Sequence, residues 1–146
     1  MRGIIEYHPF THVYSTHINL GGLFPLYMEL AEYDLTFIKD KVSIPKGRKM
    51  ALVNEAFQNI DTLVMAKVNN QIVGFVATSK GEPELISELF VVEGYRRQGV
   101  AKKLVQQLKK IAPGKLKVNT IMGNDASLAF YESMGFVAVT IGLTEV

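Results

Sequence analysis

Three apolar segments separated by short polar turns fill Thr62 to Val92, and an amphipathic segment follows at Gly99 to Ile111. Leu63-Val64-Met65-Ala66 runs through Asn69-Asn70 into Ile72-Val73-Gly74-Phe75-Val76-Ala77. Paired asparagines between apolar runs signal a tight hairpin, because Asn tolerates the left-handed backbone such a turn requires. Gly81-Glu82-Pro83 then interrupts the chain before a third strand, Leu85 to Val92. Strands joined this closely pair as antiparallel neighbours, so the segment predicts a three-stranded meander. From Gly99 the period becomes helical: Val100, Leu104, Leu108 and Ile111 form one stripe, with Lys102, Lys103, Gln106 and Lys110 elsewhere. A meander followed by a helix that must bury a stripe commits the chain to a mixed α/β architecture.

The flanks extend that plan. Gly3 to Tyr7 reads as a first strand, and Leu23 to Lys39 as a helix with Leu26, Leu30, Tyr33 and Phe37 at helical spacing and Pro25 in its first turn. After the Pro45-Lys46-Gly47 breaker, Met50 to Ile60 reads as a second helix with Leu52, Ala56 and Phe57 on one side. Pro113-Gly114 ends the amphipathic helix, and Leu116 to Ile121 is a further strand. Asn124 or Asp125 caps a helix reaching about Met134, Gly135 suits the left-handed position after it, and a last strand starts at Phe136. At 146 residues with 48% hydrophobic content and no repeat or linker-like run, residues 1–146 form one domain. No apolar run approaches a membrane span and no leader is recognised, so the expected location is cytoplasmic, with no membrane partner.

Zero cysteines exclude a thiol nucleophile and thiolate metal sites. His8, His12 and His17 come without a carboxylate motif such as H-E-x-x-H, so no metal is expected. A net charge of +2 is too small to indicate a nucleic-acid partner, yet Arg96, Arg97, Lys102, Lys103, Lys109 and Lys110 crowd one stretch. That crowding suggests a local anion site. Glu93-Gly94-Tyr95-Arg96-Arg97-Gln98-Gly99-Val100-Ala101 joins strand to helix, and unpaired amides at a helix start attract phosphate. Gly94 and Gly99 have the spacing of a nucleotide-binding phosphate loop, but Val100 and Ala101 stand where that motif needs Lys and Ser or Thr. The dinucleotide fingerprint G-x-G-x-x-G is absent too.

Arg96-Arg97-Gln98-Gly99-Val100-Ala101 fits the signature Arg or Gln, two residues, Gly, one residue, Gly or Ala, and Asn124-Asp125-Ala126-Ser127-Leu128-Ala129-Phe130-Tyr131 leads into Gly135-Phe136. In these two motifs and their order the chain resembles the GNAT superfamily of acetyl-CoA-dependent N-acetyltransferases, over roughly Thr62 to Phe136. The resemblance implies a mixed, largely antiparallel central sheet with helices on both faces and a splay between the fourth and fifth strands. It implies acetyl-CoA as donor, its pyrophosphate held by the amides from Arg97 through Gln98, Gly99, Val100 and Ala101 with Arg96 and Lys102 as charge support. Backbone groups at Leu89, Phe90 and Val91 would meet the pantetheine arm, and Asn124 is either a cofactor contact or only the helix cap. Tyr131 matches the residue that protonates the departing thiolate in many relatives, and Glu88 is the best candidate for the base that takes the amine proton. Ser87 stands where several relatives carry a second acid, and Asn119 where others carry a carboxylate base.

The function so implied is direct transfer of acetyl to a primary amine in a ternary complex, with a small-molecule acceptor preferred to a protein. The alternative is a non-catalytic CoA-binding sensor or interaction module of the same fold. A homodimer is compatible with the sequence and not required by it. Glu29, Glu32 and Asp34, with Tyr27 and Tyr33, fall where substrate-covering helices lie in such proteins, but a solvated acidic helix face explains them as simply.

Overall fold

The computed structural model describes residues 3–11, 13, 22–38, 47–81, 83–112, 114–143 and 145. In chain order its elements are β1 (Glu6–Phe10), α1 (Phe24–Leu35), α2 (Arg48–Gln58), β2 (Ile60–Val68), β3 (Gln71–Ser79), β4 (Glu84–Val91), α3 (Val100–Ile111), β5 (Leu116–Val118) and α4 (Asp125–Ser133). The five strands form one sheet in sequential order. β1 to β4 are antiparallel neighbours and β5 joins β4 in parallel.

The meander forms because its turn chemistry suits it: Asn69 and Asn70 both have positive φ, 50° and 65°, as a two-residue hairpin turn of this hand demands. Alternation along the strands then feeds two cores. On one face Leu63, Met65, Phe75, Ala77 and Phe90 pack with Leu23, Tyr27 and Leu30 of the first helical segment and Val53 of α2. Tyr27 stacks on Phe75 at 4.9 Å and meets Phe57 edge-on at 5.5 Å, each pair worth about 1 kcal/mol beyond its buried area. On the other face Val64, Ala66, Val76 and Val91 pack against Val100, Leu104 and Leu108 of α3 and Tyr131 of α4. The α3 stripe read from the sequence is therefore the one that is buried.

Several boundaries differ from the sequence reading. β1 lies at Glu6–Phe10, three residues past Gly3, because pairing with Leu63–Lys67 of β2 selects that register. In α1 the buried residues are Tyr27 and Leu30, and Tyr33 is largely exposed. In α2 Val53 is buried and Leu52 is exposed, since β2 already begins at Ile60 and sets the helix's rotation. β5 stops at Val118 and does not reach Ile121. No final strand follows Phe136 among the described residues: 136–143 join no strand ladder, and Val137, Val139, Ile141 and Leu143 are 76–94% exposed. An alternating pattern makes a strand only where a ladder receives it, and three-residue β5 offers little edge. The readings at His12, His17, Lys39, Pro45, Lys46, Glu82 and Pro113 fall outside the described residues.

Candidate active site

The sheet opens where β5 stops following β4. Only Glu84, Leu85 and Ile86 pair with β5, so β4 from Ser87 to Val91 has no strand beside it on that side. Asn119, Thr120 and Ile121 diverge from it, and a cavity of about 600 Å³ lies in the gap. Its floor is Leu89, Phe90 and Val91, its basic end is the turn into α3, and its far wall is α4 with the last turns of α1.

At the basic end the backbone is shaped for an anion. Gly99 caps α3 with φ 79°, in the left-handed region that glycine occupies without strain, and no side chain takes the cap bond. The first intrahelical bond from this end is Lys103 N–H to Gly99 C=O at 3.0 Å, which leaves the amides of Val100, Ala101 and Lys102 without intrahelical acceptors. Arg97 also has positive φ, 61°, a conformation with a real cost for a residue bearing Cβ. Gln98 does not line the cavity; its amide donates to the Gly94 carbonyl at 3.3 Å and braces the turn. Arg96 also differs from a free cationic arm. Its Nε donates to the Val91 carbonyl at 2.7 Å and its guanidinium lies 5.4 Å from the Phe90 ring centre. It ties the loop to the end of β4 and occupies one of the backbone acceptors expected to face the pantetheine.

Glu88 reaches the cavity through an irregularity in β4. Ala77 pairs with Glu88 and Thr78 with Ile86, so Ser87 is an extra residue bulged out of the ladder. The Ser87 hydroxyl donates to the Ala77 carbonyl at 3.2 Å. After the bulge Glu88 and Phe90 face α1, while Leu89 and Val91 face α3. Burial pushes the Glu88 carboxyl above its usual range; the neighbouring Ser87 and Tyr27 hydroxyls oppose that rise, and the charge of Asp34 adds a smaller push upward. Tyr27 is 2% exposed and faces Glu88, yet its hydroxyl and Glu88 Oε2 are buried without a hydrogen bond of proper geometry. Asp34, in the last turn of α1, lines the same end, and burial raises it to about 6.

Across the cavity Tyr131 is 5% exposed, wedged edge-on between Phe130 at 5.2 Å and Phe136 at 5.4 Å. Burial, then the Asp34 charge, pushes its phenol above the ordinary value, so it stays protonated at neutral pH. Asn124 is the α4 cap, accepting from Ser127 N–H at 3.1 Å, and also lines the cavity. Gly135 has φ 93° and ends α4, and Lys109 donates to the Met134 carbonyl beside it. The sequence reading thus converges on one cavity, Gln98 excepted. It left undecided Asp34, which the structure puts inside; Tyr27, Leu30 and Asp34 stand at i, i+3 and i+7, the spacing that marks one buried stripe. His8 lies apart, 3.4 Å from Glu6, and among the described residues no group of three metal-ligating side chains assembles. Among those residues, too, no helix is long and apolar enough to cross a membrane.

Comparison with known proteins bears on this geometry. An acetyltransferase of the GNAT family from Streptococcus pneumoniae superposes with a TM-score of 0.68 at 16% identity, covering 98% of each chain. A ribosomal-protein-alanine N-acetyltransferase from Brucella melitensis gives 0.68 at 17%, covering 98% of this chain and 99% of its own. An aminoglycoside N-acetyltransferase in complex with CoA gives 0.64 at 16%, covering 98% and 94%. No curated protein sequence matches. The model of the acetyltransferase (GNAT) family matches residues 29–136, which runs from within α1 past the end of α4 and takes in the whole cavity, and the chain belongs to that family.

Proposed function

We propose that this acetyltransferase moves an acetyl group from acetyl-CoA to a primary amine by direct transfer, with donor and acceptor bound together. One observation carries the proposal: the open α3 amides, the buried Glu88 carboxylate and the Tyr131 phenol line a single cavity at the β4–β5 gap. The residues fit the donor. Three unpaired amides at a helix start and the adjacent Arg97 suit a pyrophosphate, and the unpaired side of β4 leaves backbone for an extended arm. Acetyl-CoA supplies an activated acetyl group and a thiolate that must leave.

The chain's own groups move the protons. An alkylamine with a pKa near 10 arrives charged and attacks only as the free base, so its proton needs an acceptor. Glu88 serves, directly or through one water, and its raised pKa makes it a stronger base than an exposed carboxylate. Tyr131, kept protonated by burial, donates to the thiolate and is restored by the second proton, which the adduct nitrogen gives up as the amide forms. With no cysteine in the chain and both groups suited to proton transfer, no covalent acetyl-enzyme is required. We assign a small acceptor in preference to a folded protein, and the cytoplasm as the compartment.

Incubation with acetyl-CoA and a panel of polyamines, amino acids, aminoglycosides and N-terminal peptides, followed by free thiol release, tests the proposal. Amine-dependent thiol release is expected for at least one class. CoA binding without turnover on any acceptor would replace the proposal with a CoA-binding module.

A further inference from the structure

The cavity holds two carboxylates at its acceptor end, and the reaction has work for one. The attacking nitrogen loses two protons between ammonium and amide: Glu88 takes the first, before attack, and the second leaves the tetrahedral adduct for the departing thiolate by way of Tyr131. Asp34 is left over, yet it is half-buried in the same wall and close enough for its charge to act on both Glu88 and Tyr131. Among the described residues no Lys, Arg or His pairs with it, and its carboxylate accepts no hydrogen bond. The basic residues that line the cavity, Arg96, Arg97 and Lys102, lie at its opposite end, around the α3 start. The Tyr27 hydroxyl and Glu88 Oε2 are both buried and face each other without a hydrogen bond of proper geometry. Tyr27 is almost wholly enclosed and stands behind Glu88, so the acids that line the cavity itself are Glu88 and Asp34. A wall with two carboxylates and, among the described residues, no cation paired with either is complementary to cationic nitrogen supplied from outside.

We propose, resting on the acetyl-transfer function above, that the acceptor carries two cationic nitrogens: Glu88 receives the proton of the one that reacts, and Asp34 holds the one that does not. Asp34 is then a specificity residue for diamines and their relatives. The division follows from the chemistry, because the nitrogen that attacks must become neutral and keeps no charge for a second carboxylate to hold. The spectator ammonium remains charged throughout and donates to Asp34 both before and after transfer. It contributes to binding and little to the chemical step, so its effect belongs in KM.

The test compares butylamine with putrescine and pentylamine with cadaverine, pairs that differ by the second nitrogen, on the full chain and on Asp34→Asn. The full chain is expected to prefer each diamine at least tenfold in kcat/KM, with the difference in KM. In Asp34→Asn that preference should fall to about twofold or less. A preference absent from the full chain, or undiminished in the variant, overturns the assignment while leaving amine acetylation intact. Calorimetric titration of putrescine into the CoA-saturated protein gives a readout independent of turnover. Binding weakened tenfold or more in Asp34→Asn supports the assignment even if none of these amines is acetylated, and equal or absent binding in both proteins overturns it. Matching circular dichroism spectra show that the variant is folded.

Discussion

Gly99 separates the two demands made on the loop before α3, its backbone conformation and its approach to phosphate. With φ at 79°, any L-residue there occupies left-handed space, costing about 1–2 kcal/mol, more for a β-branched residue and less for Asn. A Cβ added at this position meets nothing within 4 Å, so the free protein adds no steric cost to that figure. Gly99→Val should therefore lower the melting temperature by several degrees, about 4 °C per kcal/mol in a chain this size, and Gly99→Asn by less. Ligand binding should order differently. Both variants place atoms where a pyrophosphate must approach the Val100 to Lys102 amides, so both should weaken CoA at least tenfold, whereas Arg97→Ala loses one exposed charge and should cost a few-fold. Thermal unfolding and calorimetric CoA titration on the same three variants decide the matter. If Gly99→Asn binds CoA as the unmodified chain does, glycine serves only the turn and the pyrophosphate is seated elsewhere.

Tyr131→Phe should lower kcat by roughly ten- to a thousandfold with CoA affinity nearly unchanged, read by steady-state kinetics and titration; unchanged turnover assigns Tyr131 to packing alone. Glu88→Gln should lower activity by roughly a hundredfold at neutral pH, and the deficit should shrink as pH rises and more acceptor is already the free base, which a pH–rate profile records. A deficit that is flat with pH would mean that Glu88 positions the acceptor without taking its proton. Asp34 supplies a pH signature of its own: its folded pKa of about 6 exceeds that of the unfolded chain, so the native state binds the extra proton and loses stability as pH rises from about 4 to 6. Asp34→Asn should then be the more stable protein at pH 7, by about 1 kcal/mol after allowance for its partial exposure, with the gap closing towards pH 4 in thermal melts.

The parts of this fold that the sequence made legible are those where local chemistry and global packing agree. Asn69-Asn70 specifies its turn without help, and the α3 stripe has one face to bury, so both read correctly. α1 was harder because Leu26, Tyr27, Leu30, Tyr33 and Phe37 offer two overlapping stripes, and only Phe75 and Phe90 across the sheet select the one containing Tyr27. Glu84 was invisible for a different reason. It is a buried carboxylate at a strand start, accepting from Thr62 and Thr78, and no local pattern announces a partner 22 residues away. At the cavity the two motifs located the basic helix start and the phenol, since both are local strand-to-helix or helix features. Asp34 was ambiguous because an acid on a helix faces solvent by default, and only the strand beneath it turns it inward.

That strand also explains how a single segment can serve a core and a reaction. Strict alternation from Ile86 to Val91 would put Ile86, Glu88 and Phe90 on one face. Ile86 belongs to the α3 core and Phe90 to the α1 core, so an unbroken strand would either pull Ile86 out of its packing or drive Glu88 against the apolar side of α3. A buried, unpaired carboxylate there would cost several kcal/mol or remain protonated and useless as a base. The extra residue at Ser87 resolves the conflict by shifting the parity once, and the Ser87 hydroxyl satisfies the Ala77 carbonyl at the disrupted rung. β4 therefore packs conventionally where it pairs with β5, and turns its acid towards Tyr27 and Asp34 where β5 has left. The bulge and the gap adjoin along β4, and their coincidence places a carboxyl of raised pKa at an open sheet edge, in the cavity that Tyr131 and the start of α3 also line. Deleting Ser87 should return Glu88 to the wrong face, and its loss should be as complete as that of Glu88→Gln at neutral pH but without any recovery at high pH.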